Sequence, residues 1–455
     1  MTVPGFTFCF AIAAALFLSP GSARAQALFR NVTAANLPQA AGLHSLDAEF
    51  GDVDKDGDLD ILIAVENGAN RLYLNDGKAK FAWKQNAFSS ASADGEDLAV
   101  EDFDRDGNLD AVFVMEDGGV HQYYLGNGDG SFRNVSERIP SCVGNGVEAA
   151  DVDGDGWKDV LIACAGGGPG AQDLLLINDK QGGFRNETAK RLPALTESSQ
   201  DVKAADLDGD GDLDVVVGND AGKNRLLFNK GDGTFTDAAA NLPIPYEEET
   251  REVLLVDVDG DGDKDIVFCN LTCNACATYT RNPQARLLIN DGKGRFTDET
   301  AARMPPNTFS SWDGGYLDFD ADGDQDLILC AITVPGFTGL DAKAYRNDGT
   351  GTFTDVTATV MPAGASGRLW DVETADLDRD GTLDVFMGAW GTQAILILGT
   401  VDQPAAIRKR DAPPAKAGGR KRSRAKSGPG RAAGFLFAWE DRETLSDGRV
   451  PAPGR

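Results

Sequence analysis

The nonapeptide Asp52-Val53-Asp54-Lys55-Asp56-Gly57-Asp58-Leu59-Asp60 recurs in variant form from Asp102, Asp151, Asp206, Asp257, Asp318 and Asp376. All seven copies keep aspartate at positions 1, 3, 5 and 9 and glycine at position 6. The starts lie 50, 49, 55, 51, 61 and 58 residues apart. A period of this size marks a repeat architecture and governs the reading of the rest of the chain. Carboxylates at this spacing, with a glycine where the loop turns sharply, curl around a hard cation that takes oxygen ligands. Ca2+ is the natural candidate.

Comparing the copies assigns roles to positions. The candidate ligands are Asp52, Asp54, Asp56 and Asp60; Asp102, Asp104, Asp106 and Asp110; Asp151, Asp153, Asp155 and Asp159; and Asp206, Asp208, Asp210 and Asp214. Asp257, Asp259, Asp261 and Asp265, then Asp318, Asp320, Asp322 and Asp326, then Asp376, Asp378, Asp380 and Asp384 complete the set. Position 7 varies and is Trp157 in the third copy. An indole cannot ligate a hard cation, so this position is expected to offer its backbone carbonyl. The loops are not EF-hands, because position 12, Ile63 in the first copy, lacks the bidentate glutamate and a strand follows instead of a helix. Up to seven Ca2+ are expected, as structural staples and not as catalysts. An ion that binds only the folded state stabilises it by mass action.

Each repeat has one internal order. In the first, Asp47-Ala48-Glu49-Phe50 leads into the loop, and Leu59-Asp60-Ile61-Leu62-Ile63-Ala64 follows it. Asn70-Arg71-Leu72-Tyr73-Leu74, the turn Asn75-Asp76-Gly77-Lys78 and a short run from Phe81 complete the repeat. These are four strand-length pieces separated by turn chemistry, and no segment holds a sustained helical period. Four strands per repeat of this length predict propeller blades. Six repeats end in a phenylalanine and a polar run, such as Phe296-Thr297-Asp298-Glu299-Thr300. The seventh stops after Ile395-Leu396-Ile397-Leu398-Gly399, and Phe29-Arg30-Asn31-Val32-Thr33 carries the missing piece. The fold expected over residues 26–400 is therefore all-β, a seven-bladed propeller of four-stranded blades. Its N-terminal strand closes the last blade and removes the open sheet edges.

This order sorts the chain between two faces. The acidic loops and the Asn-Asp-Gly turns share one face. The variable connections, among them 164–172, 269–285 and 332–342, fall on the other. Cys9 lies in an N-terminal apolar segment, and Cys142, Cys164, Cys269, Cys273, Cys276 and Cys330 map to the variable face. Cys142 with Cys164 is the expected bridge within the third blade, and the pairing of the other four stays open. The run Cys273-Asn274-Ala275-Cys276 could be half a zinc site, but no second such pair exists, and disulfide bonding is the better reading.

The formal charge is −29, and it is unevenly spread. Residues 404–455 carry 13 Lys or Arg against 5 Asp or Glu, so the remainder, with 30 basic and 67 acidic residues, stands at −37. So acidic a body argues against nucleic acid as a partner. Residues 1–25 read as a signal peptide, with an apolar stretch at 6–18 and Ala23-Arg24-Ala25 before Gln26. No second apolar run is long enough to span a membrane, and residues 401–455 read as a basic disordered tail. A secreted, periplasmic or cell-surface monomer is expected.

The loops, together with endings such as Asn290-Asp291-Gly292-Lys293-Gly294-Arg295-Phe296, resemble the FG-GAP/VCBS repeat family and its relatives, the integrin α-subunit propellers. The resemblance covers about residues 29–400. It implies calcium-binding propellers used in adhesion, ligand recognition or sugar binding, and some seven-bladed relatives are lectins with sugar sites between blades. Integrin features beyond the propeller are absent, so an integrin role is not carried over.

Two further sets of residues draw attention on the variable face. Five residues before each loop stand Asp47, Asp97, Gly146, Asp201, Glu252, Asp313 and Asp371. They could ring the channel mouth, or bond amides of the preceding turn. Trp312 and Trp370 adjoin Asp313 and Asp371, with Trp390 on a nearby loop. These five are the candidate ligand residues, as a platform for stacking on a sugar, and packing between blades is the competing reading. The function expected is a binding or adhesion module for an extracellular protein or a glycan. The alternative is a propeller-based polysaccharide lyase or hydrolase. The chain has no G-x-S-x-G or H-E-x-x-H motif, and its two histidines, His44 and His121, read as surface or packing residues. No catalytic residue is assigned.

Overall fold

The computed structural model describes residues 28–400, apart from 41, 117, 119, 166–170, 221, 245–246, 273–282, 335 and 337. The signal segment, the basic tail, Cys273 and Cys276 lie outside the described residues. The first blade shows how the repeat folds. Ser45–Gly51, Asp60–Val65, Arg71–Asn75 and Phe81–Trp83 form an antiparallel sheet in sequence order. Five further repeats do the same, and their first strands are Gly95–Glu101, Gly144–Ala150, Ser199–Ala205, Glu249–Val256 and Ser310–Leu317. In the seventh the first strand is Glu373–Ala375. Each first strand packs beside the first strands of its two neighbours, the seventh beside the first, so the ring is closed.

Side-chain alternation explains why the second strands read as unbroken apolar runs. Ile61 and Ile63 face the seventh blade, in a cluster with Phe386, Leu396 and Leu398. Leu62 and Ala64 face the second blade, with Leu98, Val100 and Phe113. A strand buried on both faces has no polar side to show.

The last blade is completed as the sequence predicts. Phe29–Asn31 pairs with Ile395–Gly399 in the register Phe29↔Gly399, Arg30↔Leu398 and Asn31↔Ile397. The polar run after each final phenylalanine also has a physical reason. The Asn31 carboxamide oxygen accepts from the Thr33 N–H at 3.1 Å, while the Thr33 hydroxyl accepts from the Leu396 N–H at 2.9 Å. Thr188 does the same between Asn186 and Leu175, Thr300 between Asp298 and Leu287, and Thr357 between Asp355 and Ala344. An asparagine or aspartate two residues before a threonine thus satisfies the amides at the start of each one-turn helix and pins it to the third strand.

The stretch 332–342 is more than a connection. Thr338–Asp341 pairs with Ile332 and Thr333 and then with Ser366–Gly367, which extends the sixth sheet toward the seventh. Cys142 and Cys164 are disulfide-bonded. Cys269 and Cys330 are free thiols, buried within second strands and not displayed in face loops. Among the described residues no helix is long and apolar enough to cross a membrane.

Phe29 is 3% exposed in the closing blade. Phe29→Ala is expected to lower the unfolding free energy by about 3–5 kcal/mol in urea titration; a loss under about 1 kcal/mol would show that the ring closes without it. The bridge between Cys142 and Cys164 closes a loop with a sequence separation of 22. Its selective removal in Cys142→Ser/Cys164→Ser is expected to cost about 3 kcal/mol in the same assay.

Candidate functional site

The acidic loops are built by their backbone first. The glycine at position 6 has a φ between 89° and 105° in all seven, which an L side chain rarely adopts. Position 4 is left-handed as well, and in four loops it is Lys55, Arg105, Ala321 or Arg379, so its conformation is not legible from residue type. The carboxylate at position 5 accepts the N–H of position 7 in every loop, as Asp210 does from Asp212 at 3.0 Å. In six loops the position 1 aspartate accepts the N–H of the position 6 glycine, at 2.8–3.1 Å.

Position 9 is tied on both oxygens. Asp60 accepts the Val53 N–H at 3.2 Å and the Asn75 N–H at 2.9 Å. Asp214 accepts from Leu207 at 3.1 Å and from Asn229 at 2.9 Å, and the same pair of bonds recurs in all seven blades. Burial pushes these carboxyls up, to about 7 at Asp60, Asp110, Asp159, Asp214 and Asp265 and to about 8 at Asp326 and Asp384. Position 9 is thus a clasp between the loop and the end of the third strand. One oxygen from each of positions 1, 3 and 9 still converges within 4.8 Å, as in Asp52/Asp54/Asp60, Asp102/Asp104/Asp110 and Asp151/Asp153/Asp159. Buried Oδ1 atoms of Asp52, Asp102, Asp151, Asp153, Asp259, Asp320 and Asp376 have no hydrogen-bond partner. Basic side chains reach position 3 in two blades: Arg191 stands 3.2 Å from Asp153, and Arg303 stands 3.3 Å from Asp259.

The loops also join neighbouring blades. The Asn75 amide donates to the Leu377 carbonyl, at position 2 of the preceding blade's loop. Asn178, Asn229, Asn290 and Asn347 donate in the same way to Phe103, Val152, Leu207 and Val258, at 2.6–2.9 Å. The asparagine that opens each Asn-Asp-Gly turn is therefore an inter-blade tie as well as a turn former.

The acidic residues ahead of the loops combine parts of both readings. Asp47, Asp97, Asp201 and Asp313 each accept a backbone N–H, but from the next blade: Leu98 at 3.1 Å, Val147 at 2.6 Å, Val253 at 2.8 Å and Val372 at 2.6 Å. The bonds form where the first strands bulge, not in the preceding turn. All of these carboxylates are buried, so the ring faces no solvent. Lys203 lies 3.4 Å from both Asp201 and Glu252. Burial, and then repulsion from Asp47 and Asp313 respectively, raises the Asp97 and Asp371 carboxyls well above the usual range.

The tryptophans are stacked on one another. Trp312 is fully buried and Trp370 nearly so, with ring centroids 3.8 Å apart. Trp390 lies 5.5 Å from Trp370, and His44 lies 4.6 Å from Trp390. The Arg251 guanidinium covers the far face of the stack, 5.0 Å from Trp312. Asp313 and Asp371 belong to the inner ring, so the five residues do not make one open platform. At the stack's outer end the Trp390 indole N–H donates to Glu66, and the His44 Nδ1 lies 3.1 Å from the same carboxylate. His44 and Glu66, with Arg71 and Trp83, line a cavity of about 410 Å³. Trp83 is 45% exposed, with the Arg71 guanidinium 4.4 Å over its ring. Sequence reasoning did not single out Glu66, Arg71 or Trp83. The available signal was Trp83, which stands where the other repeats hold Asn134, Asn186, Asp237, Asp298 and Asp355.

The FG-GAP-like repeat matches residues 52–113, 102–162, 151–217, 206–268 and 318–387. The chain belongs to the FG-GAP-like repeat family. Cartilage acidic protein 1 of Homo sapiens is 27% identical over 416 residues, covering 81% of this chain and 60% of that protein. Its Mus musculus counterpart is 26% identical over 420 residues, covering 81% and 62%. This FG-GAP chain thus spans about 60% of the length of the curated relatives it matches. Among solved structures, BBS1N in complex with ARL6DN superposes with a TM-score of 0.50 at 9% identity, covering 83% of this chain and 98% of that one, which shows the propeller fold alone. An Agrocybe aegerita lectin recognising non-reducing terminal N-acetylglucosamine reaches a TM-score of 0.46 at 18% identity, covering 69% and 79%.

The clasp role of position 9 in the FG-GAP repeats has a measurable consequence. Asp214→Ala strands two amides and is expected to cost about 2–4 kcal/mol in urea unfolding under EDTA. Asp206→Ala, which removes two bonds to the Gly209 and Gly211 amides of the exposed loop that water can replace, should cost clearly less; equal losses would show that position 9 has no special part in the fold.

Proposed function

We propose that this FG-GAP propeller is a secreted, calcium-stabilised binding module for an extracellular protein or carbohydrate. The observation that carries the reading is the contrast between its faces. One face repeats the same acidic loop seven times. The other holds a cavity of about 410 Å³ in which a half-exposed indole, a guanidinium, an imidazole and a carboxylate converge, and among the described residues only the first blade has this combination. Such a mixture of an apolar platform and a few polar groups suits recognition. Ligand is expected at His44, Glu66, Arg71 and Trp83, with Trp312, Trp370 and Trp390 holding the wall from behind. Secretion rests on the apolar stretch at 6–18.

The proposed ions sit in the acidic loops. The fit rests on the buried, unpartnered oxygens that point into them and on an all-oxygen donor set. Positions 1 and 3 would supply side-chain oxygens, and position 9 would share an oxygen already held by an amide. The ion would neutralise a cluster whose carboxylates repel one another.

A screen of glycans and matrix proteins, with and without EDTA, tests the binding reading. Trp83→Ala is expected to weaken a hit about thirty-fold, the effect of losing an anchor of about 2 kcal/mol; unchanged affinity with an unchanged melting curve would place the ligand elsewhere. Chelation is expected to lower the melting temperature by several degrees, and Ca2+ titration should show weaker sites in the blades where Arg191 and Arg303 stand at position 3. A melting curve indifferent to both EDTA and Ca2+ would rule out the staple role.

A further inference from the structure

The second blade carries another carboxylate cluster, on the face away from the acidic loops. Asp94 precedes the first strand of that blade, Glu96 lies within it, and Glu116 follows the second strand, Asp110–Met115. The Glu116 N–H donates to the Asp94 carbonyl at 3.1 Å, which brings the two segments together. One carboxylate oxygen from each of the three lies within 4.8 Å of the others. Cation–oxygen bonds of 2.3–2.6 Å allow two ligands of one ion to stand at most about 5 Å apart, so a single ion can touch all three.

Glu96 supplies an independent observation. Its side chain is fully buried, it points into the cluster, and neither of its oxygens has a hydrogen-bond partner. Burial pushes its carboxyl well above the usual range, and the charges of Glu116, Asp94 and Glu66 push it further. Arg251 acts in the opposite direction, but its guanidinium is held by Gln200 and Glu249. A buried carboxylate with no donor is costly, and a cation at its oxygens removes the cost.

The fold does not require this cluster. The residues that correspond to Asp94, Glu96 and Glu116 are His44, Leu46 and Glu66 in the first blade and Val143, Asn145 and Ala165 in the third. In the fourth they are Ser198, Gln200 and Asp220. Three carboxylates at these places are thus particular to the second blade among these four. We propose that Asp94, Glu96 and Glu116 form a divalent-cation site of oxygen-donor type, separate from the seven loops and beside the cavity that Glu66 lines.

Anomalous diffraction from crystals of the full chain soaked in Mn2+ tests this. An anomalous peak among the three carboxylates is expected in the wild type. It should be lost in Glu96→Gln, a substitution of equal volume, while any loop peaks persist. Native mass spectrometry in Ca2+ should show one ion fewer in Glu96→Gln than in the wild type. Should that variant fail to fold, Glu116→Gln, at the partly exposed edge of the cluster, is expected to give the same loss. A wild-type map with no peak at Glu96, or a peak and an ion count that survive the substitution, overturns the proposal. Peaks in the loops are read from the same map, so the fate of the loop ions is decided separately.

Discussion

Each blade depends on a carboxylate that bridges two backbone amides across a turn. The aspartate at position 9 holds the amide of position 2 with one oxygen and the amide at the end of the third strand with the other. That single side chain fixes how far the loop stands from the Asn-Asp-Gly turn. The asparagine of that turn then reaches the loop of the preceding blade. A carboxyl group that meets two amide donors satisfies both at a buried point where water cannot substitute, and leaving them unmet would cost more than either bond contributes. The apolar clusters fill the space between sheets, but these polar ties set the register in which the sheets meet.

The period of the aspartates made the blade count legible, and the displaced phenylalanine motif made the closure legible. Both are local patterns whose meaning survives in any environment. Position 9 was harder to read. Its spacing suits a ligand and a clasp equally well, and only the positions of Val53 and Asn75 around Asp60 show that both oxygens are bonded. The tryptophans were harder still. Trp312 and Trp370 lie 58 residues apart, and no sequence pattern reveals that each covers the other's face. The cavity draws on His44, Glu66, Arg71 and Trp83 of one blade, yet its wall is braced by Trp390 from the blade at the other end of the chain. Such a cavity exists only after closure.

The inner ring shows the same economy under greater strain. Asp47, Asp97, Asp201 and Asp313 cross from blade to blade at the axis, where first strands crowd and a bulge leaves an amide without a ladder partner. A carboxylate is the side chain best able to satisfy such an amide at a distance. The penalty is several acids in mutual repulsion, eased by Lys203 between Asp201 and Glu252. Gly146 breaks the series in the third blade, and there the Val147 amide is still satisfied by Asp97 from the preceding blade. The amide that an acid at Gly146 would hold, Val202 N–H of the fourth blade, is accepted by the neighbouring Asp201 carboxylate instead, which is why the glycine is tolerated at that point.

The seam between the seventh and first blades must resist the entropy of joining residues far apart in sequence. Closing a loop of this length costs about 5 kcal/mol by chain statistics. Burying Phe29, Val32 and Leu37 offsets it, at about 1.5–3 kcal/mol each. Gln393 adds two bonds across the seam, to the Ala40 N–H at 2.7 Å and the Pro38 carbonyl at 3.2 Å. The stack Trp312–Trp370–Trp390–His44 spans the sixth, seventh and first blades in one continuous column. Its outermost members orient Glu66, so the same column that holds the seam shut also shapes the cavity wall. A site placed there gains its rigidity from an interaction that the closed ring already needs.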